Sequence, residues 1–265
     1  MIGPIWLVGA GNMGGAMLRG WLASGIDPAG ITIIDPFAAN LPGGVTVVSE
    51  FPWDGAPDCL VLAVKPQQLD SVTASFAGRA APPRLLLSVL AGVETDALTR
   101  GFDAQHVIRA MPNLPASIGE GVTVLFSAGD DRAIRAEAAT LAKPLGLIEW
   151  ISEERLFDAV TALSGSGPGY VFRFIEALAE AGAALGLDEG LARRLAIATA
   201  RGSALLAERS DVSPAELADM VASPGGTTRE GLNVLDEAAG IKPLLLRTLQ
   251  AAARRSAELA ATSRR

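Results

Sequence analysis

Residues 5–14 read Ile5-Trp6-Leu7-Val8-Gly9-Ala10-Gly11-Asn12-Met13-Gly14: four apolar residues of strand length, then G-x-G-x-x-G, then a helix-compatible stretch over residues 13–24. In a strand–turn–helix unit that binds a dinucleotide, each glycine has a separate task. Gly9 permits the tight turn, Gly11 lets the backbone approach a pyrophosphate, and Gly14 allows close helix–strand packing. Unpaired N–H groups at the helix start, near Asn12 and Met13, and the positive end of the helix dipole then face the phosphates. An ordinary glycine-rich turn is the competing reading of the glycines taken alone. The next apolar run ends at Asp35, 21 residues beyond Gly14, where a carboxylate can accept hydrogen bonds from the adenosine ribose hydroxyls.

Working outward, short apolar runs recur at residues 31–34, 45–48, 59–64, 85–90, 107–110, 122–126 and 147–150. They do not alternate with polar residues, which is the pattern of a parallel sheet covered by helices on both faces. Spacers such as residues 13–24 and 130–141 are long enough for helical crossovers; others are short, so the sheet is expected to be mixed towards its far edge. Beyond about Ser152 the period becomes helical. The expected architecture is an α/β Rossmann-type domain with a mostly parallel sheet over residues 1–155, followed by an all-α domain over residues 156–265.

In that second half a helix starts near Pro168 and stops at Gly186, and Asp188 caps another that runs to about Glu208. Ser213 with Glu216 and Thr227 with Glu230 both read as capping boxes opening further helices. A last helix runs from Pro243 to about Ala261. Residues 191–207 carry Leu195, Ile197, Leu205 and Leu206 on more than one face, and a helix apolar all round must be buried on all sides. Five helices in about 105 residues cannot hide that surface alone, so a homodimer, or a higher oligomer built of dimers, is expected rather than a compact monomeric bundle.

Composition excludes several classes. The 265 residues are 49% hydrophobic, carry 22 basic against 29 acidic groups and a net charge of -7, and so lack the basic footprint of a nucleic-acid binder. No apolar run approaches the roughly 20 residues of a membrane helix, and the uncharged N-terminal stretch is glycine-rich and lacks a basic signal-peptide flank. One cysteine, Cys59, and one histidine, His106, leave no zinc set and no intrachain disulfide. A metal-free enzyme of the reducing cytoplasm is expected.

Ligands in an open α/β sheet sit beyond the carboxyl ends of the strands. Three strand-end segments are therefore candidates for lining the cofactor: Ala63-Val64-Lys65-Pro66, Leu90-Ala91-Gly92 and Ala110-Met111-Pro112-Asn113. Lys65 and Asn113 could bond the nicotinamide-side ribose or amide, with solvated loop residues as the competing reading. Arg109 suits a salt bridge within the fold as well as a ligand. In the helical half, Ser164-Gly165-Ser166-Gly167-Pro168-Gly169 and Ser223-Pro224-Gly225-Gly226-Thr227-Thr228 each lead into a helix start whose bare N–H groups suit a small carboxylate. Helix capping explains part of the second loop. The adjacent glycines are read as room for a ligand.

These segments, together with Tyr170-Val171-Phe172 and in this order along the chain, resemble the pyrroline-5-carboxylate reductases over essentially the whole sequence. The resemblance implies reduction of a cyclic imine to proline with NADH or NADPH, a Rossmann domain, and an intertwined helical domain through which subunits dimerise. It also implies that residues 223–228 bind substrate, with Ser223, Gly225, Gly226 and Thr227 around it and Thr228 bonding the ring nitrogen, while Ser166 and Gly167 contribute from the other loop. The sequence departs from the family at Gly169, where alanine is usual, and at Asp35, where a small polar residue is usual. Asp35 would oppose a 2′-phosphate, and no basic residue stands between Arg19 and Lys65 to neutralise one, so NADH is favoured. Because the imine is protonated near neutral pH, positioning outweighs acid–base work, and His106 is read as structural.

Two other classes compete for this sequence. A 3-hydroxyacid-type dehydrogenase would carry a catalytic lysine early in its helical half, but no lysine occurs between Lys143 and Lys242. A non-catalytic dinucleotide sensor or scaffold would have no use for two loops rich in glycine and hydroxyls.

Overall fold

The computed structural model describes residues 3–53, 55–78 and 81–263. Eight strands form one sheet: β1 (Ile5–Val8), β2 (Ile31–Ile34), β3 (Thr46–Val48), β4 (Cys59–Leu62), β5 (Leu85–Ser88), β6 (His106–Pro112), β7 (Gly121–Ser127) and β8 (Gly146–Trp150). Their order is β3-β2-β1-β4-β5-β6-β7-β8. Neighbours are parallel except β6 and β7, which are antiparallel. The reversal has a simple cause: only the 3-10 turn Leu114–Ile118 and a few flanking residues connect β6 to β7, too little chain for a crossover. All eight apolar runs became strands. Those at residues 59–64 and 85–90 end early, at Leu62 and Ser88, which frees the strand-end residues as loops.

Alternation sends successive side chains of each strand to opposite faces. Ile5, Leu7, Ile31, Ile33, Val61 and Leu87 pack against Met17, Leu18 and Trp21 of α1 (Asn12–Ala23), with Ile134, Ala138 and Leu141 of a later helix in the same core. On the reverse face Trp6, Val8, Leu60 and Leu62 meet Phe51, Phe76 of α2 (Leu69–Phe76), and Leu98 and Phe102 of α3 (Thr95–Phe102). The later helix is α4 (Arg132–Ala142), and Trp21 Nε1 donates to the Leu141 carbonyl at 2.8 Å, locking α1 to α4. Cys59 lies inside this core, and burial pushes its thiol far above the usual range, so it is no nucleophile.

The chain packs as two compact units: Met1–Ser166 with Ala252–Arg265, and Gly167–Ala251. The first unit therefore runs past the 155/156 boundary read from the sequence. Beyond β8, α5 (Phe157–Val160) and a π-helical turn (Thr161–Gly165) still belong to the sheet's packing, since Phe157 and Val160 join Met111 and Phe126 in one apolar cluster. The end of the last helix returns to the same unit, with Ser256 Oγ donating to Asp158 at 2.7 Å.

The second unit contains α6 (Gly167–Ala184), α7 (Glu189–Glu208), α8 (Pro214–Met220), α9 (Thr227–Leu235) and the first part of α10 (Ile241–Ser263). Gly186, at φ +101°, ends α6 with Leu187 N–H donating back to the Gly182 carbonyl, and the Asp188 carboxylate caps α7 by accepting from Leu191 N–H. The Ser213–Glu216 box is formed as expected. The Thr227–Glu230 box is not. Gly226 is the N-cap of α9 without a side-chain cap, so Thr227 occupies the first helical position and Thr228 the second.

This unit scarcely has a core within one chain. Its fully buried apolar residues are Ala192, Ala196 and Ala222, while Val171, Phe172, Leu195, Ile197 and Leu206 are each about half exposed or more. Apolar surface on this scale marks an interaction face.

Candidate functional site

A cleft of about 460 Å³ opens beyond the carboxyl ends of β1, β2 and β4, lined by Gly9, Gly11, Asp35, Ala63, Val64 and Lys65 among others. The glycine-rich turn is built as its sequence requires. Gly9 has φ +90°, and a Cβ there would stand 2.8 Å from the Ala63 carbonyl oxygen. A Cβ on Gly14 would come within 2.0 Å of the Gly9 carbonyl oxygen, so this glycine lets α1 sit against β1. Gly11 differs: a Cβ there would meet nothing within 4 Å, so its open face borders the cleft. Gly11 caps α1, leaving the first N–H groups of the helix, at Asn12 and Met13, without helical partners. This cradle fits the pyrophosphate of a nicotinamide dinucleotide.

Asp35 is arranged differently from expectation. Its two carboxylate oxygens accept from Ala10 N–H and Phe37 N–H, both at 2.8 Å, so the side chain ties the glycine-rich turn to the residues after β2. It is half-buried and lines the cleft, and each oxygen keeps a lone pair for a ligand hydroxyl. Lys65, distant in sequence, lines the same cleft. Phe37, Ser49 and Glu50 also line it and were missed by the sequence reading, although the strand-end rule applied to β2 and β3 pointed to their positions.

A second cavity, about 550 Å³, lies within the first unit where Pro66, Ala91, Gly92, Thr161 and Ser166 meet Arg255 and Ser256. It brings together Pro66 and Ser166, two residues expected at the site from segments about 100 positions apart. No local signal identified the α10 residues, which are ordinary helix positions. The segment around Ser166 is not the loop expected: it is a π-helical turn leading from α5 into α6, with Ser166 N–H donating to the Thr161 carbonyl. Gly167 follows at the first position of α6, with open space around it.

Two further candidates are engaged within the fold. Asn113 Oδ1 accepts from Val122 N–H at 2.9 Å and Nδ2 donates to the Ser164 carbonyl at 3.0 Å. Met111 is buried in the cluster with Phe126 and Phe157. Arg109 makes the salt bridge, at 2.7 Å to Glu154, and lies over the Phe157 ring. His106 begins β6, half-buried. Among the described residues no group of His, Cys, Asp or Glu stands close enough to hold a metal ion.

In the second unit the loop before α9 is held by Arg229, which donates to Asp219 at 2.6 Å. Gly225 adopts φ +69°, and a Cβ on Gly226 would stand 2.6 Å from Ser223 Oγ. The glycine pair is thus required by the loop's own turn, a reason the sequence reading had assigned to a ligand alone. What remains open is the start of α9, where Ser223, Thr227 and Thr228 are exposed.

A family model described as pyrroline-5-carboxylate reductase dimerisation matches residues 154–259, and one described as NADP oxidoreductase, coenzyme F420-dependent, matches residues 4–92. Pyrroline-5-carboxylate reductase of Pseudomonas aeruginosa is 37% identical over 97% of this chain and 96% of its own length. The enzyme of that name from Synechocystis is 44% identical over 76% of the chain and 75% of its own. Among solved structures, a pyrroline-5-carboxylate reductase from Coxiella burnetii superposes with a TM-score of 0.88 at 32% identity, covering 98% of this chain and 99% of that one. A Plasmodium falciparum pyrroline carboxylate reductase with NADP bound does so at 0.80 and 27% identity, covering 97% and 98%. The dinucleotide cradle, the order of the motifs and this likeness over nearly the whole length agree: the chain belongs to the pyrroline-5-carboxylate reductase family and is an NAD(P)H-dependent oxidoreductase.

Proposed function

We propose how this chain performs its reaction, the reduction of 1-pyrroline-5-carboxylate to L-proline with NAD(P)H. Gly11, Asn12 and Met13 would hold the pyrophosphate of the cofactor, Asp35 its adenosine ribose, and residues 63–66 its nicotinamide end. When bound, it supplies the hydride. The substrate carboxylate is held by N–H groups of residues 225–228 with Ser223, and the Thr228 hydroxyl bonds the ring nitrogen; Ser166 and Gly167 are read as substrate contacts from the resemblance. The observation that carries this reading is the start of α9: Gly226 caps it without a side chain, and Thr227 and Thr228 are exposed beside unpaired helix N–H groups. The chain acts as a homodimer, or a larger assembly of dimers, supported by the exposed apolar faces of the second unit. Its compartment is the cytoplasm, supported by the lone buried thiol; no helix among the described residues is long and apolar enough to cross a membrane.

Thr228→Ala is expected to lower kcat for imine reduction about 5–150-fold, the equivalent of one hydrogen bond of roughly 1–3 kcal/mol, with the cofactor Kd unchanged. Thr227 makes no cap, so Thr227→Ala is expected to alter unfolding free energy by less than about 0.5 kcal/mol. Steady-state kinetics and denaturant titration check both. An unaffected Thr228→Ala enzyme would remove the hydroxyl from the reaction. Complete absence of turnover with pyrroline-5-carboxylate in the unaltered protein would favour a binding-only role.

NADH is the preferred cofactor, because the Asp35 carboxylate lines the cleft where a 2′-phosphate would stand as like charge against like. The expected result is a kcat/KM with NADH at least about tenfold above that with NADPH, equivalent to roughly 1.4 kcal/mol. Asp35→Ser should narrow that ratio. Since Asp35 also anchors Ala10 N–H, the ratio of the two cofactor Kd values is the proper readout rather than activity alone. A preference for NADPH would mean that Lys65 receives the 2′-phosphate.

A further inference from the structure

We infer that Asn113 is a positioning residue that holds the π-helical turn bordering the 550 Å³ cavity; the inference rests on the reading of Ser166 as a substrate contact. Asn113 follows β6 and is 8% exposed. Its amide joins three parts of the fold. The side chain leaves the end of β6, accepts from Val122 N–H of β7 at 2.9 Å, and donates to the Ser164 carbonyl within the π turn at 3.0 Å. Only one orientation of the amide satisfies both partners, since the first is a donor and the second an acceptor.

The Ser164 carbonyl has a particular need for that donor. In an α-helical register it would accept from the N–H four residues on, and that residue is Pro168, which has none. The turn is widened instead: Ser166 N–H donates to the Thr161 carbonyl, five residues back, at 2.8 Å, and Ser164 Oγ donates to the Val160 carbonyl at 3.0 Å. π-Helical turns persist where neighbouring groups hold them, often beside functional sites. Here the ends of the turn, Thr161 and Ser166, line the 550 Å³ cavity with Pro66 and Gly92.

The entry to the turn is held as well. Arg109 donates to Glu154 at 2.7 Å and stacks over Phe157, and Glu154 also accepts from the N–H and hydroxyl of Thr95 at 2.8 and 2.9 Å. With its start tied to β6 and α3, the turn depends on Asn113 at its middle. Asn113 thus sets where Ser166 points without touching substrate.

Asn113→Asp keeps the acceptor for Val122 but turns a carboxylate towards the Ser164 carbonyl. The expected enzyme is folded and binds NADH, measured by tryptophan-to-nicotinamide energy transfer, within about twofold of normal, while kcat/KM for the imine falls about tenfold or more, chiefly through KM. Asn113→Ala is expected to show the same split. Adding Pro168→Ala to it supplies the missing N–H at position 168 and should recover most of the loss. A cofactor Kd that rises in step with the kinetic defect, unchanged imine kinetics, or no recovery in the double variant would each overturn the inference. Should Asn113→Asp not fold, the double variant against Asn113→Ala decides alone, and failure of both to fold also overturns it. Ser166→Ala separates the underlying reading: full activity there would fault Ser166 as a substrate contact, while the turn's support is judged on the Asn113 pair.

Discussion

Gly14→Ala is expected to abolish cofactor binding together with much of the first unit's thermal stability, whereas Gly11→Ala is expected to abolish binding alone. The two glycines belong to one motif but meet different surroundings. A methyl group on Gly14 would lie 2.0 Å from the Gly9 carbonyl oxygen and 3.2 Å from the Ala63 Cβ. Neither neighbour can retreat, because Gly9 N–H donates to the Ile34 carbonyl and Ala63 N–H to that of Val8. The turn would have to peel away from β1, a rearrangement costing at least the roughly 1–3 kcal/mol of an overpacked core. A methyl group on Gly11 enters open space. It leaves the fold alone, and as an alanine reduces the entropy of the unfolded chain slightly, but it occupies the ground a pyrophosphate must approach. Thermal unfolding and the NADH dissociation constant, measured on both variants, check the contrast. Normal NADH affinity in Gly11→Ala would mean that the cradle is not where the phosphates sit.

Leu195→Asp is expected to dissociate the proposed dimer. Leu195 lies on α7, half exposed in a single chain, as are Ile197 and Leu206 of the same helix, in a unit that buries only three alanines completely. A carboxylate forced into such a contact without a partner costs at least about 4 kcal/mol, roughly a thousandfold in the dimer dissociation constant. Sedimentation at micromolar concentration should show monomers. The first unit has its own cores on both sheet faces, so NADH binding should survive while imine reduction is lost. An unchanged dimer with full activity would put Leu195 outside the interface and shift the burial of α7 to another face.

The eight strands were legible because each is a short apolar run between turn residues, and such runs fold alike wherever both faces are covered. Which pair of strands reverses was decided by the structure, but that the sheet is mixed towards its far edge was legible from its short connections. The same held for the cap of α7 at Asp188 and of α8 at Ser213, which are local contacts over three residues. At α9 the local rule failed, since Thr227-Thr228-Arg229-Glu230 has the form of a capping box but Gly226 takes the cap. There Gly225, at positive φ, starts the turn one residue early, and Arg229 reaches back to Asp219 to hold it.

By itself the sequence determined the fold class and pointed to the glycine-rich turn, because those depend on periodicity and on glycines whose tasks are local; the chemistry was legible only through the resemblance of its motifs, in their order, to a known family. Tertiary structure alone decided how the polar side chains are used. Asp35 and Asn113 were read as ligand contacts because their residue types and places allow it, yet each is first a tie within the protein: Asp35 to Ala10, 25 positions away, and Asn113 to Ser164, 51 positions away. A buried carboxylate or amide must find partners somewhere, and which partners lie within reach depends on packing between distant segments. Likewise Pro168 is visible in the sequence, but that its missing N–H is made good by Asn113 follows only from the arrangement that brings β6 beside the π turn.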